Sequence, residues 1–543
     1  MKKLIWKNRF LIFILIISFP PVFNIFFHTL LWHTHDGLMH LARIGAWVKS
    51  IKDGQLPPRW AGDLNYGYGS PVLIFMYFWP YFLSSVLVLG GLGLVWSFKI
   101  VSVLGYVLAG IAMFLFCQNF FRNNKKALLA SLLYQFSSFH LTEIIIRGAV
   151  GELWSYVFFP ISLLGIHQIL EGKIKKGLII STIGTTLLIL SHNSISLSFF
   201  ACLSIFIAIF GDRKRIRNIL VAIFSLFLAL GLSSFYWLPA LWERKYTYGD
   251  LFMKDLYKDN FPSVYQLFIP NLLNQKWGWV SNIPVQIGAF HLFPFLLAFF
   301  LFLKSEFNDR EKKVFIFSLI VFSISLFIML PLSASFWEKI PLLRQFQFSW
   351  RLLSLVTFAT SITGFVFLKF PLFEKRKFFW LFCFLIIFSS IPYWKPQEGF
   401  DNIDEDYWWN YPLNTTYFGE ANTIWAGNPP EDFPSKRIEI IEGKGKINDF
   451  FKKSNYQRFL VNADTQINVV NRTLFFPGWR VFIDKQEAPI EFQDPNYRGL
   501  ITFKVPQGGH NVEIKFTRTK DRIIGEVFSL TSLLIFLLII AII

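Results

Sequence analysis

The sequence is poor in charged residues and in cysteine. Only 16% of its 543 residues are Asp, Glu, Lys or Arg, whereas an ordinary soluble domain carries about a quarter. The three cysteines all lie inside apolar runs, so neither a disulfide framework nor a cysteine-based metal cluster is predicted. No phosphate-binding glycine loop, dinucleotide-binding glycine motif or His-Glu-x-x-His zinc helix occurs. These absences exclude a soluble globular enzyme and give no support to ATP-driven transport.

Apolar residues are abundant instead, since 54% of the chain is hydrophobic and it holds 66 Phe and 19 Trp. This composition is typical of an integral membrane protein with many spans, each of which needs about 20 mostly apolar residues. Basic residues precede the first apolar run without a small-residue cleavage site after it, which predicts an uncleaved first span. The predicted spans are 10–29, 96–120, 127–141, 153–171, 176–191, 194–211, 217–238, 285–303, 313–331, 352–370, 377–393 and 523–543.

The apolar segment 72–94 decides the predicted topology. If it crosses the membrane and the N-terminus is cytoplasmic, most later basic loops fall outside the cell. If it is re-entrant or interfacial, five basic loops fall in the cytoplasm, as the positive-inside rule requires. We therefore expect about 12 spans plus this segment, with both termini cytoplasmic. The net charge of +18 then mainly reflects the basic loops that set the membrane orientation. Membrane lipids rather than nucleic acid are the expected partners.

The fold class predicted from these patterns is mainly α, a polytopic transmembrane helical bundle with a small extracytoplasmic β-sandwich-like domain. The transmembrane module covers 1–394 and includes a large first outer loop, 30–71. A β-rich domain follows at 395–520, because the sequence alternates in the manner of strands from about residue 456. A C-terminal transmembrane helix at 521–543 completes the chain.

In the predicted first outer loop, Asp36, His40 and Arg43 are spaced i, i+4 and i+7. A helix would place these three side chains on one face. Residue types alone are equally compatible with a plain surface helix that Asp36 caps at its N-terminus.

Charged residues also occur at a membrane boundary after the third predicted span. Glu143 and Arg147 are spaced i, i+4 and can simply pair at a helix end, but with Glu152 they make three charges beside a membrane. Such charges are costly unless they face a cavity, which predicts a functional site. Arg351 opens a later span, where it could extend to lipid headgroups or hold a phosphate. His192 lies in a turn that we expect to be exposed.

The order of these motifs resembles the GT-C class of polytopic glycosyltransferases. More closely, it is similar to the bacterial and archaeal membrane proteins labelled "6-pyruvoyl-tetrahydropterin synthase-related". Ser349 departs from that family's Gln-Phe-Pro-Trp-Arg pattern, and the segment 476–484 is similar to the C-terminal domain of YfhO-like membrane proteins. The resemblance lies in Asp36-Gly-Leu-Met-His40-Leu-Ala-Arg43, Arg147-Gly-Ala-x-x-Glu152, Ser191-His192-Asn193 and Gln347-Phe-Ser-Trp350-Arg351.

The resemblance implies that a sugar moves from a polyprenyl-phosphate donor to an envelope glycan, lipid or protein outside the plasma membrane of a prokaryote. An acceptor hydroxyl would attack the anomeric carbon while the lipid phosphate leaves. This chemistry needs a carboxylate to orient or deprotonate the hydroxyl, and cations for the phosphate. The implied catalytic residues are Asp36, then Glu152 and Glu143, and the implied substrate-binding residues are His40, Arg43, Arg147, His192, Asn193 and Arg351.

Two other interpretations accompany this one. A pterin-type zinc site is not expected, because only His33, His35 and His40 lie close together in the sequence. No metal-ligand set is predicted from spacing, although Asp36 and a second carboxylate could hold a divalent cation such as Mg or Mn. The non-catalytic alternative is a lipid or glycan-precursor transporter or an envelope-assembly scaffold. A transporter should carry ionisable residues near the bilayer midplane, whereas this sequence keeps nearly all of them at boundaries.

Overall fold

The computed structural model describes residues 2–344, 346–427 and 430–542. Long uninterrupted apolar runs fold as helices, which satisfy their backbone hydrogen bonds internally as a bilayer requires. Among the described residues, nine helices are long and apolar enough to cross a membrane. They are Leu94–Phe121, Val150–Leu170, Ile174–Ser191, Asn193–Phe210, Arg213–Leu232, Asp309–Met329, Ser349–Lys369, Arg376–Tyr393 and Lys520–Ile542. The last position of the predicted C-terminal span, 543, lies outside the described residues.

The first predicted span, 10–29, is a bent pair of helices. Arg9–Ile17 and Pro20–Phe27 meet at an angle of 51°. The break coincides with Pro20 and Pro21, whose rings remove the backbone N–H donors that a continuous helix would need. The pair counts as one further span if both halves lie in the membrane.

Two other predicted spans are shorter than expected. The segment 127–141 holds the helices Asn124–Gln135 and Ser138–Thr142, and 285–303 holds the 15-residue helix Ala289–Leu303. Neither segment holds a single helix of the roughly 20 residues that cross a bilayer. Among the described residues, single helices of spanning length therefore number nine, or ten with the bent pair, against the about 12 predicted spans.

The segment expected to be re-entrant or interfacial contains no spanning helix. Val72–Phe75 is a single turn, and Trp79–Leu89 has 11 residues. A helix of that length rises only about 16 Å. The backbone N–H of Phe78 donates to the carbonyl of Leu190 at 3.0 Å, so the segment packs against the end of the span Ile174–Ser191.

The loop 30–71, predicted to be the first outer loop, contains the helix Gly37–Lys52, which we call the surface helix. The helix considered for Asp36, His40 and Arg43 is therefore present, and it begins directly after Asp36. Just before it, the strand Leu31–Trp32 pairs antiparallel with Phe400–Asp401. This pairing ties the start of the loop to the segment that leads into the C-terminal sheets. The remaining short helices are Ser234–Glu243, Gly249–Met253, Val264–Phe268, Ala334–Lys339, Pro341–Arg344, Pro371–Glu374 and Glu405–Trp409, and a small hairpin joins Trp279–Val280 to Ile283–Pro284.

The C-terminal sheets form a sandwich of five and three antiparallel strands. Its inner faces bury alternate residues, such as Phe459 and Val461, and the cluster also takes in Trp60 from the first outer loop. Two of the strands precede residue 456, so the predicted start of the strand pattern was too late. The strands are Ile438–Glu442, Gly445–Lys452, Tyr456–Ala463, Ile467–Leu474, Trp479–Ile483, Gln486–Ala488, Leu500–Val505 and Gly508–Phe516.

Candidate active site

Asp36 occupies the position just before the surface helix, but its carboxylate does not cap that helix. The Thr34 hydroxyl accepts the hydrogen bond from the Gly37 N–H instead, at 2.9 Å. The Asp36 side chain keeps 43% of its surface exposed. Its carboxylate is therefore available to another molecule, which the interpretation of Asp36 as a simple N-cap did not anticipate.

The start of the surface helix is docked on the turn that follows Arg147. The backbone N–H groups of His35 and Asp36 donate to the carbonyls of Ile146 and Arg147, at 3.1 and 3.0 Å. Gly148 continues that turn with φ of +66°, a left-handed conformation that glycine adopts without strain. The result is a separation of 4.0 Å between Asp36 Oδ2 and Arg147 Nη2.

Arg147 is clamped by two buried carboxylates. Its Nη1 donates to Glu143 Oε2 at 2.6 Å and to Glu152 Oε1 at 2.7 Å. Both glutamate side chains are closed off from solvent, and the guanidinium lies 4.9 Å from the ring centroid of Trp350. Buried carboxylates are tolerated only when they are paired and hydrogen-bonded. Glu143 and Glu152 are thus committed to orienting Arg147, with its Nη2 toward Asp36.

A second guanidinium joins the same cluster. Arg351 Nε lies 3.1 Å from Glu152 Oε1, and its Nη1 donates to Gln347 Oε1 and to the Phe346 carbonyl, each at 2.9 Å. The side chain is buried. The Arg351 side chain therefore lies inside the protein and does not extend to lipid headgroups, which was one of the two roles considered for it.

His192 is buried rather than exposed, which corrects the expectation of an exposed turn. Its Nε2 lies 3.7 Å from Glu152 Oε1, while Nδ1 accepts the Ile195 N–H at 3.3 Å. Asn193 has a different task. It donates to the Phe75 carbonyl at 2.7 Å and accepts a hydrogen bond from the Tyr236 hydroxyl, so it ties the non-spanning segment to the bundle without contacting the charged cluster.

His40 and Arg43 meet two tyrosines that sequence reasoning missed. Tyr81 OH lies 2.8 Å from His40 Nδ1, and Tyr77 OH lies 3.4 Å from His40 Nε2. Burial, reinforced by the nearby guanidinium of Arg43, holds the pKa of His40 well below its usual range. The Tyr77 ring also stacks on His192, with 5.2 Å between centroids. The only sequence signal for these tyrosine contacts was the presence of aromatic residues in a short apolar segment that does not span the membrane.

Arg43 extends the site toward the C-terminal part of the chain. One of its N–H groups approaches Tyr81 OH at 3.4 Å, and another donates to the Thr415 carbonyl. The buried Nε has no partner among the described residues. The structure therefore brings Asp36, His40, Arg43, Glu143, Arg147, Glu152, His192 and Arg351 into one connected region.

Asp36 is not part of a cluster of metal-ligating side chains among the described residues. Among the described residues, no group of three or more His, Cys, Asp or Glu side chains is arranged to hold a metal ion. The two nearest acidic candidates, Glu143 and Glu152, are already bonded to Arg147. His33 is held between Glu398 and Asp401, at 2.9 Å from each.

Comparison with known proteins identifies similarity at two levels. Among solved structures, the chain is similar to the arabinofuranosyltransferase AftD from Mycobacteria, with 14% identity and a TM-score of 0.47 over 74% of this chain and 28% of that one. It is also similar to the apo form of the Archaeoglobus fulgidus oligosaccharyltransferase, with 14% identity and a TM-score of 0.44 over 76% of this chain and 60% of that one. The chain thus spans less than two thirds of the length of either.

A search of curated proteins finds no match. Residues 75–396, more than half of the chain, match the family model described as "6-pyruvoyl-tetrahydropterin synthase related domain; membrane protein". That match includes Glu143, Arg147, Glu152 and Arg351, which form the charged cluster. The chain belongs to the 6-pyruvoyl-tetrahydropterin synthase related family of membrane proteins.

Proposed function

We propose that this chain is a membrane glycosyltransferase of the GT-C type. It moves a sugar from a polyprenyl-phosphate donor to an extracytoplasmic acceptor, which is an envelope glycan, a lipid or a protein. The observation that carries the proposal is the half-exposed carboxylate of Asp36, 4.0 Å from the clamped guanidinium of Arg147. A free carboxylate beside a fixed cation suits a reaction in which a hydroxyl loses a proton while a phosphate leaves.

In this proposal Asp36 serves the acceptor. Its carboxylate accepts a hydrogen bond from the acceptor hydroxyl and takes its proton as the oxygen attacks the anomeric carbon. A general base of this kind typically contributes about 10²–10⁴-fold to the rate. Glu143 and Glu152 are fully buried, so they orient Arg147 and do not meet the acceptor.

Arg147 and Arg351 serve the donor. As the bond from the anomeric carbon to the phosphate oxygen breaks, negative charge grows on the phosphate and is stabilised by the guanidinium groups. Guanidinium groups suit phosphate oxygens because they present several donors in a fixed plane. Preorganisation by Glu152, which lies 2.7 Å from Arg147 Nη1 and 3.1 Å from Arg351 Nε, removes the cost of arranging these cations during the reaction.

The proposed orientation places Asp36 outside the cell. At the N-terminal end of the span Leu94–Phe121, the Glu405 carboxylate accepts hydrogen bonds from the N–H groups of Leu94 and Val95, at 2.9 and 3.0 Å. The span ends at Arg122, which pairs with Glu171 at 3.0 Å. Basic residues that include Lys126 also gather at that far end and pair with Glu311. A basic end favours the cytoplasm, which leaves Asp36 and the sandwich on the outer side.

The test is transfer by the purified protein in lipid, with radiolabelled polyprenyl-phosphate hexoses as donors and a membrane-lipid extract as acceptor. Asp36→Asn should remove the base and nearly abolish transfer. Asp449→Asn, on the exposed surface of the sandwich, is the matched control and should keep full activity. Equal transfer by wild type and Asp36→Asn would overturn the role of Asp36. Lipid translocation without sugar transfer would favour the transporter alternative.

A further inference from the structure

A cavity at the far end of the surface helix is not used by the proposed chemistry. Its volume is about 240 Å³, and it lies where the helix, the loop at residues 62–63 and the sandwich meet. Ser454 forms the sandwich side of the wall, and its N–H donates to Asp53 Oδ2 at 2.7 Å. A side chain at Gly62 would come within 2.7 Å of Ser454 Cα, so the close approach of loop and sandwich that shapes the wall requires glycine there.

The polar lining balances in charge. Lys49 and Lys52 stand against Asp53 and Asp63, and Lys49 Nζ donates to Asp63 Oδ2 at 2.8 Å. Among the lining residues, a phosphate or an acidic peptide would meet as many carboxylates as ammonium groups. An uncharged ligand rich in hydroxyl groups can use both, because a hydroxyl donates to a carboxylate and accepts from an ammonium.

An aromatic ring lies near Lys52, outside the residues that line the cavity. Lys52 Nζ lies 5.9 Å from the ring centroid of the half-buried Trp409. The neighbouring Asn410 accepts a hydrogen bond from Lys49 Nζ at 3.1 Å. A sugar ring has an apolar C–H face and a hydroxyl edge, so an aromatic ring beside paired charges suits both surfaces. Packing of the C–H face on the indole would remove apolar surface from water.

The cavity and Asp36 lie on the same helix. The lining residues that belong to the helix and its C-terminal end run from Ala46 to Asp53, which places them about 15 to 25 Å along the axis from Asp36 at 1.5 Å per residue. An oligosaccharide of several units is long enough to bridge such a span while one end reaches the Asp36 carboxylate.

We infer that this cavity is a distal subsite that binds one uncharged sugar unit of an oligosaccharide acceptor. The inference rests on the proposed function and narrows its acceptor class to a neutral glycan of several units. It also assigns a task to the sandwich, which completes the wall of the subsite through Ser454.

The experiment is calorimetric binding to the full-length protein in lipid nanodiscs, without any donor. The probes are linear hexasaccharides of glucose, mannose, galactose and arabinose, with the corresponding monosaccharides. We expect at least one hexasaccharide to bind the wild type about tenfold more tightly than the double variant Lys49→Ala/Asp63→Ala, the change associated with losing a charge-assisted hydrogen bond.

Two further variants make the result specific. Ala46→Phe fills the cavity without removing a charge and should weaken the same hexasaccharide. Arg480→Ala/Glu487→Ala removes an exposed ion pair of 3.2 Å elsewhere on the sandwich and should bind like wild type. If no hexasaccharide distinguishes the wild type from Lys49→Ala/Asp63→Ala, or if the Arg480 control loses binding equally, the subsite is wrong.

The subsite and the proposed function can be disproved independently of each other in this experiment. Asp36→Asn removes the proposed base but no residue of the cavity lining, so it tests sugar transfer and not the subsite. Oligosaccharide binding without any sugar transfer would overturn the proposed function and leave the subsite standing. Transfer without preference for the hexasaccharide over the monosaccharide would overturn the subsite alone.

Discussion

Asp36 and Arg147 are joined twice, once through the backbone and once through their side chains. The Asp36 N–H donates to the Arg147 carbonyl at 3.0 Å, and Oδ2 of the aspartate lies 4.0 Å from Nη2 of the arginine. The backbone bond fixes where the carboxylate sits relative to the cation. The candidate base is therefore positioned by how the surface helix docks on the Arg147 turn.

Gly148→Ala tests this docking. Gly148 has φ of +66°, and an added Cβ would lie 2.6 Å from Thr34 Oγ1. The alanine would suffer the cost of the left-handed conformation, about 1–2 kcal/mol, and would also push the segment that carries Asp36 away. A displacement of about 1 Å costs on the order of 10²-fold in rate, so we expect a loss of that size in kcat/KM for transfer.

Gly54→Ala is the matched control for Gly148→Ala. Gly54 also has a positive φ, +91°, but an added Cβ there meets no atom within 4 Å. It should lower the unfolding temperature modestly and leave transfer unchanged. Equal losses of transfer in both variants would show that backbone strain, rather than displacement of Asp36, causes the defect.

Arg147→Lys should show that the cluster needs a guanidinium and not only a positive charge. A lysine cannot reproduce the bonds from Nη1 to Glu143 and Glu152 while also facing Asp36. One buried carboxylate would be left short of a donor, at a cost of about 1–3 kcal/mol. We expect lower thermal stability and a fall in kcat of at least about tenfold.

Arg458→Lys, on the exposed face of the sandwich, is the comparison for Arg147→Lys and should match wild type in both measurements. Full activity of Arg147→Lys would mean that a point charge suffices. The planar arrangement of N–H donors on the guanidinium would then have no part in the mechanism.

The stability of the protein should depend on pH through His40. The pKa of folded His40 lies well below its usual value because the ring is buried, with the cations Arg43 and Arg147 nearby. Below pH of about 6.5 the unfolded chain binds a proton at this residue and the folded chain does not, so His40 lowers stability by about 1.4 kcal/mol per pH unit. His40→Gln should remove this slope.

Thermal unfolding of both proteins between pH 7.5 and 5 is the measurement. The stability advantage of wild type over His40→Gln should be largest near pH 7.5 and shrink as the pH falls. A difference that stays constant over this range would mean that His40 takes up its proton equally in both states.

The spans and the surface helix could be predicted because their signals are local. Hydropathy over about 20 residues locates Leu94–Phe121 or Lys520–Ile542 without any knowledge of how the rest of the chain packs. The spacing of Asp36, His40 and Arg43 likewise indicated a shared helix face. The short helix Trp79–Leu89 needed a second constraint, the distribution of basic loops, because its composition alone resembles that of a span.

Contacts between distant segments could not be predicted in the same way. Nothing near Tyr77 or Tyr81 in the sequence indicates that both hydroxyl groups contact His40, since those contacts depend on how two separate segments of the chain pack. Trp60, about 400 residues away in the sequence, belongs to the core of the sandwich. The partner of Arg522 is Glu243, a pair that no spacing rule connects.

The pair Arg522–Glu243 gives a prediction about stability rather than activity. Arg522 donates from Nε and Nη2 to Glu243 Oε2, at 3.1 and 2.9 Å, and both side chains are closed off from solvent. Breaking a buried pair by removing one partner typically costs about 3–5 kcal/mol, so Glu243→Ala should strongly lower the unfolding temperature in nanodiscs. Arg480→Ala breaks an exposed pair with Glu487 and should cost at most about 1 kcal/mol. If Glu243→Leu/Arg522→Met is as unstable as Glu243→Ala, the cost arises from lost attachment of the C-terminal helix and not from an unpaired buried charge.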